Sequence, residues 1–273
     1  MQLRSIWQSM IHERGDRFPA MERLWGWPVL LIALWMLILL YMPFVEQTWG
    51  TGAFHASISL SVLIQSVITL FLMARAVGMK GTAIMAGKVV LLTWLVEAIG
   101  ATKEFPFGSY RYTDSLQPQL MGVPLLIPLA WLMMLPPSWA VARRLSGSRS
   151  GIRFVFLSAL AFTAWDLFLD PQMVKWDVWI WEGNGHYFGI PLINFVGWIL
   201  VSALITALVG PTVIPERPLL LVYSLTWIME TAGLIIFWGL YGPALCGSVV
   251  MGTFVFLAYY FRLKKKPFAS FRK

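Results

Sequence analysis

Apolar residues along this chain come in long runs, and polar residues collect in the short gaps between them. Runs of about 17–25 apolar residues are long enough to cross a bilayer as helices. Eight such runs are predicted: Pro28–Val45, Phe54–Val77, Thr82–Ala101, Gly122–Ala142, Ile152–Leu169, Ile190–Gly210, Leu219–Leu240 and Pro243–Arg262. The fourth is the weakest, because Pro124, Pro128, Pro136 and Pro137 interrupt it. It is expected to kink, with its freed backbone groups satisfied by neighbouring helices. Ahead of the first run, Ile6, Trp7, Met10 and Ile11 predict a short amphipathic segment lying on the membrane surface. No clear small-x-small site follows the first run, so it is expected to be retained. The fold class expected is all-α, a polytopic transmembrane helical bundle of one integral membrane domain over 1–273. Residues 1–27 form its interfacial segment, 28–262 the bundle and 263–273 a basic cytoplasmic tail.

Composition agrees with that reading. The chain of 273 residues is 58% hydrophobic and 12% charged, with a mean hydropathy of +0.70. A soluble domain carries about 25% charged residues. The net charge of +8 has its source in topology rather than in nucleic-acid binding. With both termini inside, the inner segments hold Arg4, Arg14, Arg17, Arg23, Arg75, Lys80, Lys88, Arg143, Arg144, Arg149, Arg153, Arg217 and the basic residues of 262–273. Only Lys103, Arg111 and Lys175 remain outside, a strong positive-inside bias that an odd number of spans would scramble. The single Cys246 lies in an apolar run and excludes a disulfide framework.

Two outer segments are unlike ordinary connecting loops. The first runs from Glu97 to Asp114 and the second from Asp166 to Asn194, and both mix acids, aromatics and glycines. Asp166 and Asp170 are four apart, so on a continuing helix they share a face, one turn from each other. Two close carboxylates in an apolar setting cannot both ionise cheaply, and such a pair keeps a proton ready to donate. The alternative for Asp170 is that Asp170-Pro171 ends a helix, leaving the acid solvated. Ionisable groups inside spans are costly and point to function, which singles out Asp166, Glu97 and Glu230. Glu97 and Glu230 have a structural alternative, pairing with Lys103 or Arg111. For Glu104, Arg111 and Asp114 a loop-pinning ion pair is the simpler expectation. Trp176, Trp179 and Trp181 sit where an aromatic belt is expected, though tryptophan faces also stabilise positive charge. Asn194 and Trp198 share one face of the sixth run. His186 is the one histidine near this cluster, too few ligands for a zinc site, so no metal is expected. No phosphate-cradling glycine loop, second Asp-rich motif, deep Lys or Ser-His-acid set is present.

These segments resemble the bacterial and archaeal carotenoid hydratases, membrane enzymes that add water to the terminal double bond of acyclic carotenoid ends. The resemblance is carried by Glu97, by Phe105-Pro-Phe-Gly-Ser-Tyr-Arg-Tyr-Thr-Asp114, by Ala164-Trp-Asp-Leu-Phe-Leu-Asp-Pro-Gln-Met-Val174 and by Gly189-Ile-Pro-Leu-Ile-Asn-Phe-Val-Gly-Trp198. It implies a carotenoid substrate (lycopene, γ-carotene or a C50 precursor), water as co-substrate, membrane lipid as surroundings, no nucleic acid and no cofactor. Hydration of a trisubstituted alkene needs a proton delivered to C2, stabilisation of a tertiary cation at C1, and one held water. Asp166 is the expected acid. Asp170 or Glu97 would position the water and take its proton, and Trp165, Trp198 and Tyr112 would face the cation. Tyr110, Arg111, Asp114, Trp176, His186, Asn194 and Glu230 complete the expected substrate-binding set, at the outer leaflet of the cell membrane. Two other readings stay open: a proton-coupled transporter using Glu97, Asp166 and Glu230 as relays, and a non-catalytic carotenoid-binding protein.

Overall fold

A computed structural model describes residues 26–211 and 213–264. The amphipathic stretch at Ile6–Ile11, the basic residues Arg4, Arg14, Arg17 and Arg23, His12 and the tail beyond residue 264 lie outside the described residues. Helices dominate: α1 Gly26–Lys103, α2 Leu126–Ser146, α3 Ile152–Lys175, α4 Leu192–Val209, α5 Glu216–Ile236 and α6 Tyr241–Lys264. Four short strands, which the all-α expectation did not contain, are β1 Tyr110–Tyr112, β2 Gln119–Leu120, β3 Val123–Pro124 and β4 Trp179–Trp181.

At 1.5 Å per residue a straight α1 would be about 117 Å long, several times the thickness of a bilayer core. It is not straight. Gly50 (φ 79°, ψ −179°) and Gly78 (φ 75°, ψ 166°) leave helical geometry, in a region where a side chain would be strained. The breaks divide α1 into segments 26–49, 51–77 and 79–103. Five helices among the described residues are long and apolar enough to cross a membrane, α1 counting as one. The protein is therefore a multi-pass membrane protein, with five such helices instead of the eight expected. Two causes account for the difference. The first three runs join through Gly50 and Gly78, with the expected gaps at 46–53 and 78–81 taken up into helix. The fourth run falls short in apolarity, diluted by its prolines and terminal arginines, and its first residues form β3 before α2 begins at Leu126.

That weak helix holds the centre of the bundle. Every residue from Trp131 to Ala142 is buried, and α2 packs against α1, α3, α5 and α6. Pro137 lacks the N–H that would serve the Met133 carbonyl, and the Thr69 hydroxyl of α1 donates to that oxygen at 3.0 Å instead. The same substitution of donors occurs in α3. This helix runs on through Asp170-Pro171 to Lys175, so Pro171 does not end it, and the Tyr187 hydroxyl donates to the orphaned Leu167 carbonyl at 2.9 Å. At the far end, Glu216 in the first turn of α5 pairs with Arg143 and Arg144 in the last turn of α2, at 2.5 and 2.8 Å. Opposite charges there suit the dipoles of both helices.

At the other end of the bundle β1 and β4 pair antiparallel, in the register Tyr110↔Trp181, Arg111↔Ile180 and Tyr112↔Trp179. The period of two puts Tyr110, Tyr112, Trp179 and Trp181 on one face of this ribbon. That face closes over the helices, and Arg111 remains exposed to the outside.

Candidate functional site

Beneath the ribbon, α3 presents Asp166 and Asp170 from one face, and both are buried, at 0% and 1% exposure. Asn194, in the first turn of α4, reaches between them. Its Nδ2 donates to Asp166 Oδ2 at 3.0 Å and makes a further, short contact with Asp170 Oδ2. The other oxygen of Asp170 accepts two indole N–H groups from the ribbon, Trp179 at 2.7 Å and Trp181 at 2.9 Å. Asp166 Oδ1 is buried with no hydrogen-bond partner among the described residues. Glu97, two turns before the end of α1, accepts the hydroxyls of Tyr110 at 2.7 Å and Tyr112 at 2.8 Å on one oxygen, Oε2. Burial, with the adjacent Glu97, pushes both phenols well above the usual tyrosine range, so both remain O–H donors.

The two-residue alternation of the ribbon thus supplies four aromatic donors to two carboxylates from different helices. A close approach of backbones sets the ribbon's height. A Cβ on Gly197 of α4 would lie 2.8 Å from the Pro106 carbonyl oxygen and 2.8 Å from the Phe107 ring. One on Gly100 of α1 would meet the same ring at 2.9 Å and the Tyr110 hydroxyl at 3.0 Å. Phe107 therefore wedges between two glycines, and only glycine leaves it room.

Glu97, Asp170 and Asn194 line a cavity whose remaining walls are largely apolar or aromatic, with no Lys or Arg among its described lining residues. Two stacked indoles form one wall: Trp131 and Trp198 lie 4.9 Å apart at 28°, backed by Phe162. The Trp131 indole N–H faces Glu97 without closing a hydrogen bond of ordinary geometry. Asp166 sits behind this surface rather than on it. So does Trp165, which packs edge-on against Trp198 at 6.1 Å and points its N–H at Glu230, 3.4 Å away.

A second cavity of similar size adjoins the first. The two share Ile58, Val62, Leu169 and the flexible thioethers Met133 and Met173 as a common wall. Its polar lining is Ser61, Gln65, Gln172, Thr226 and Glu230, and Gln172 Nε2 donates to Glu230 Oε2 at 3.1 Å.

Of the residues expected from sequence, Glu97, Tyr110, Tyr112, Asp170, Asn194 and Trp198 meet at the first cavity. Trp176 and Glu230 line the second, where Trp176 packs on Phe54 and Trp238. Arg111, Asp114 and His186 are exposed and join neither. The expected ion pairs of Glu97, Glu104, Asp114 or Glu230 with Lys103 or Arg111 do not form among the described residues. Glu97 takes its tyrosines, Glu230 its Trp and Gln, and Asp114 accepts only Gln117, at 3.4 Å. Sequence reasoning placed Trp179 and Trp181 at an interfacial aromatic belt, with stabilisation of positive charge by their ring faces as the alternative; in the structure their N–H groups serve Asp170. It missed Trp131 and Gln172 altogether. The signal for the ribbon was present as Tyr-Arg-Tyr and Trp-Ile-Trp, polar-tipped aromatics at a spacing of two. Among the described residues no group of three or more His, Cys, Asp and Glu side chains is placed to hold a metal ion.

Comparison with known proteins bears on this geometry. The family described as carotenoid biosynthesis protein matches residues 57–254, which include every residue of both cavities except Trp35, Leu39 and Met42. A stretch of 123 residues is 32% identical to the bisanhydrobacterioruberin hydratase of Haloarcula japonica, covering 44% of this chain and 41% of that protein. The matched stretch thus spans about two-fifths of that relative's length. No solved structure matches the chain.

Proposed function

Because the chain belongs to the carotenoid biosynthesis protein family, we propose that it is a hydratase that adds water to the terminal C1=C2 bond of an acyclic carotenoid end. The observation that carries this reading is the meeting of Glu97 and Asp170, with Asp166 directly behind, at one largely apolar, aromatic-walled cavity with no Lys or Arg among its described lining residues. Two buried carboxyl groups bridged by one amide hold a single proton between them at lower cost than two charges. Asp170, the member on the cavity surface, delivers that proton to C2, and Asp166 behind it shares the charge left on the pair. The π electrons form the new C–H bond and leave a tertiary cation at C1. Trp131 and Trp198 present their faces to it, an attraction worth about 2 kcal/mol or more in a dry site. Water closes on C1, its surplus proton passes to Glu97, whose orientation the two tyrosine hydroxyls fix, and transfer of that proton from Glu97 back to Asp170 restores the pair. The sum is alkene plus water to tertiary alcohol, with no oxidant or reductant. Lycopene, γ-carotene and a C50 precursor are the substrates that fit, and all dissolve in the bilayer core.

The reading includes a topology. The chain crosses eight times, with α1 turning at Gly50 and Gly78 and α2 as the fourth span. Both termini and the Arg143–Arg153 loop face the cytoplasm, and the ribbon faces the outer leaflet. The bias of basic residues supports that orientation.

A variant separates this reading from a binding protein. Asp170→Asn keeps an oxygen for Trp179 and Trp181, and Asn194 can turn its own carbonyl toward the new amide. Purified in detergent, it is expected to bind lycopene as the parent does and to form no alcohol. Equal product from parent and variant would reject the assignment, and pigment bound without product by the parent itself would favour a carrier.

A further inference from the structure

The reaction proposed above consumes one water per turnover in a chamber whose walls are mostly hydrocarbon, so that water must be stored close by yet kept off the cation's other faces. We propose that the second cavity, around Glu230, is a water-binding antechamber that supplies the reacting chamber through the Met133–Met173 wall. This inference rests on the hydratase reading and deepens it.

Polar cavities hold water, and each buried water needs 2–4 hydrogen-bonding partners. The second cavity offers Glu230, Gln172, Gln65, Thr226 and Ser61 within one wall-to-wall space. Its polar groups are already ordered: Gln65 Nε2 donates to Thr226 Oγ1 at 3.2 Å, and Glu230 accepts Gln172 at 3.1 Å. A polyene offers these groups nothing to bond, whereas water satisfies them all. The partition toward Glu97 and Asp170 consists of apolar side chains, two of them methionines. Unbranched thioethers change rotamer at low cost, so they admit a molecule the size of water without a permanent channel. Glu230 itself is tied to the reacting chamber through Trp165, which bonds the carboxylate on one side and packs against Trp198 on the other.

Gly233 allows a direct test. It lines the second cavity, and a Cβ built on it meets nothing within 4 Å. Gly233→Leu therefore fills the antechamber from a helix position that gains propensity on losing glycine, by about 1 kcal/mol. Glu230→Leu removes its strongest water ligand by another route. The readout is partition of the cation in D2O. Asp170 delivers a deuteron to C2, and the cation then either takes water or loses a proton from C2 back to the Asp170 carboxylate. The second outcome returns the alkene with deuterium in place of hydrogen. Starving the site of water is expected to lower hydration about 10- to 100-fold while deuterium exchange into recovered carotenoid continues, so the exchange-to-hydration ratio rises. Carotenoid binding is expected to match the parent's, and Gly233→Ala to fall between the parent and Gly233→Leu. If both filled variants hydrate at the parent rate, or lose exchange and hydration in equal proportion, the antechamber is rejected and the hydratase reading stands. If the parent forms no alcohol, it is the hydratase reading that fails.

Discussion

At the residue scale the site depends on how two carboxylates are dressed. Asp170 accepts three N–H donors, while Asp166 accepts one and keeps an oxygen without a hydrogen-bond partner among the described residues. The pair is therefore asymmetric, with one member fixed at the cavity and the other behind it. Asp166→Asn is expected to lower hydration by about 10²–10⁴-fold, the usual worth of a positioned acid. The rate of 1-hydroxy product formation at saturating carotenoid checks this, and a loss below fivefold would remove Asp166 from the acid. Tyr110→Phe and Tyr112→Phe each delete one donor to Glu97. Hydrogen bonds to charged groups are worth about 1.5–3 kcal/mol. Each single variant is expected to lose activity about tenfold, with substrate binding retained, and the double variant more than either. Unchanged rates in the double variant would show that Glu97 needs no orientation. Trp179→Phe and Trp181→Phe provide the contrast with a lipid belt. A belt residue tolerates Phe, whereas a donor to Asp170 does not.

At the element scale the β1–β4 ribbon and the glycine seat of Phe107 decide whether the site assembles. Gly197→Ala would press a methyl group into the Pro106 carbonyl, which as backbone cannot swing aside. It is expected to lift the ribbon from α4, lowering the midpoint of thermal unfolding in detergent and abolishing hydration. A fully active, equally stable Gly197→Ala protein would contradict the seat. Tyr187→Phe is expected to cost about 1 kcal/mol, since it removes the hydroxyl that donates to the carbonyl Pro171 orphans, one turn below Asp170. These elements also mark what the sequence could and could not convey. The apolar runs located the helices because burial in lipid demands long unbroken apolarity. Gaps at Gly50 and Gly78 read as loops, since glycine signals a break without saying whether hydrogen bonding resumes on its far side. Whether the helix continues through Pro171 was left open by the sequence, because the replacement donor lies 16 residues further along the chain. The carboxylates stood out by cost alone. The tryptophan donors to Asp170 did not, since a tryptophan at a membrane surface looks the same whether its N–H meets water or a buried acid.

At the scale of the whole molecule, the Arg143–Arg144 pair and the acid site fall at opposite ends of the bundle. Arg143 and Arg144 lock onto Glu216 at one end, and the ribbon caps the other. With Cys246 replaced by Ser, cysteines at Asp114 and Ser148 report which end faces out. A membrane-impermeant maleimide is expected to label Asp114→Cys in intact cells and Ser148→Cys only after permeabilisation. The reverse pattern would turn the site toward the cytoplasm, and labelling of both would break the eight-span threading. Two adjoining cavities lie in the molecule, one walled mostly by aromatic and apolar side chains and one with a more polar lining beside it. The most direct measurement of the central claim is mass spectrometry of product from purified protein and lycopene in ¹⁸O-labelled water, with no cofactor added. Hydration by this protein gives a 1-hydroxy carotenoid carrying one ¹⁸O at each hydrated end, lost in Asp170→Asn. Recovery of unmodified lycopene from the parent protein, or an alcohol whose oxygen does not come from water, would contradict it.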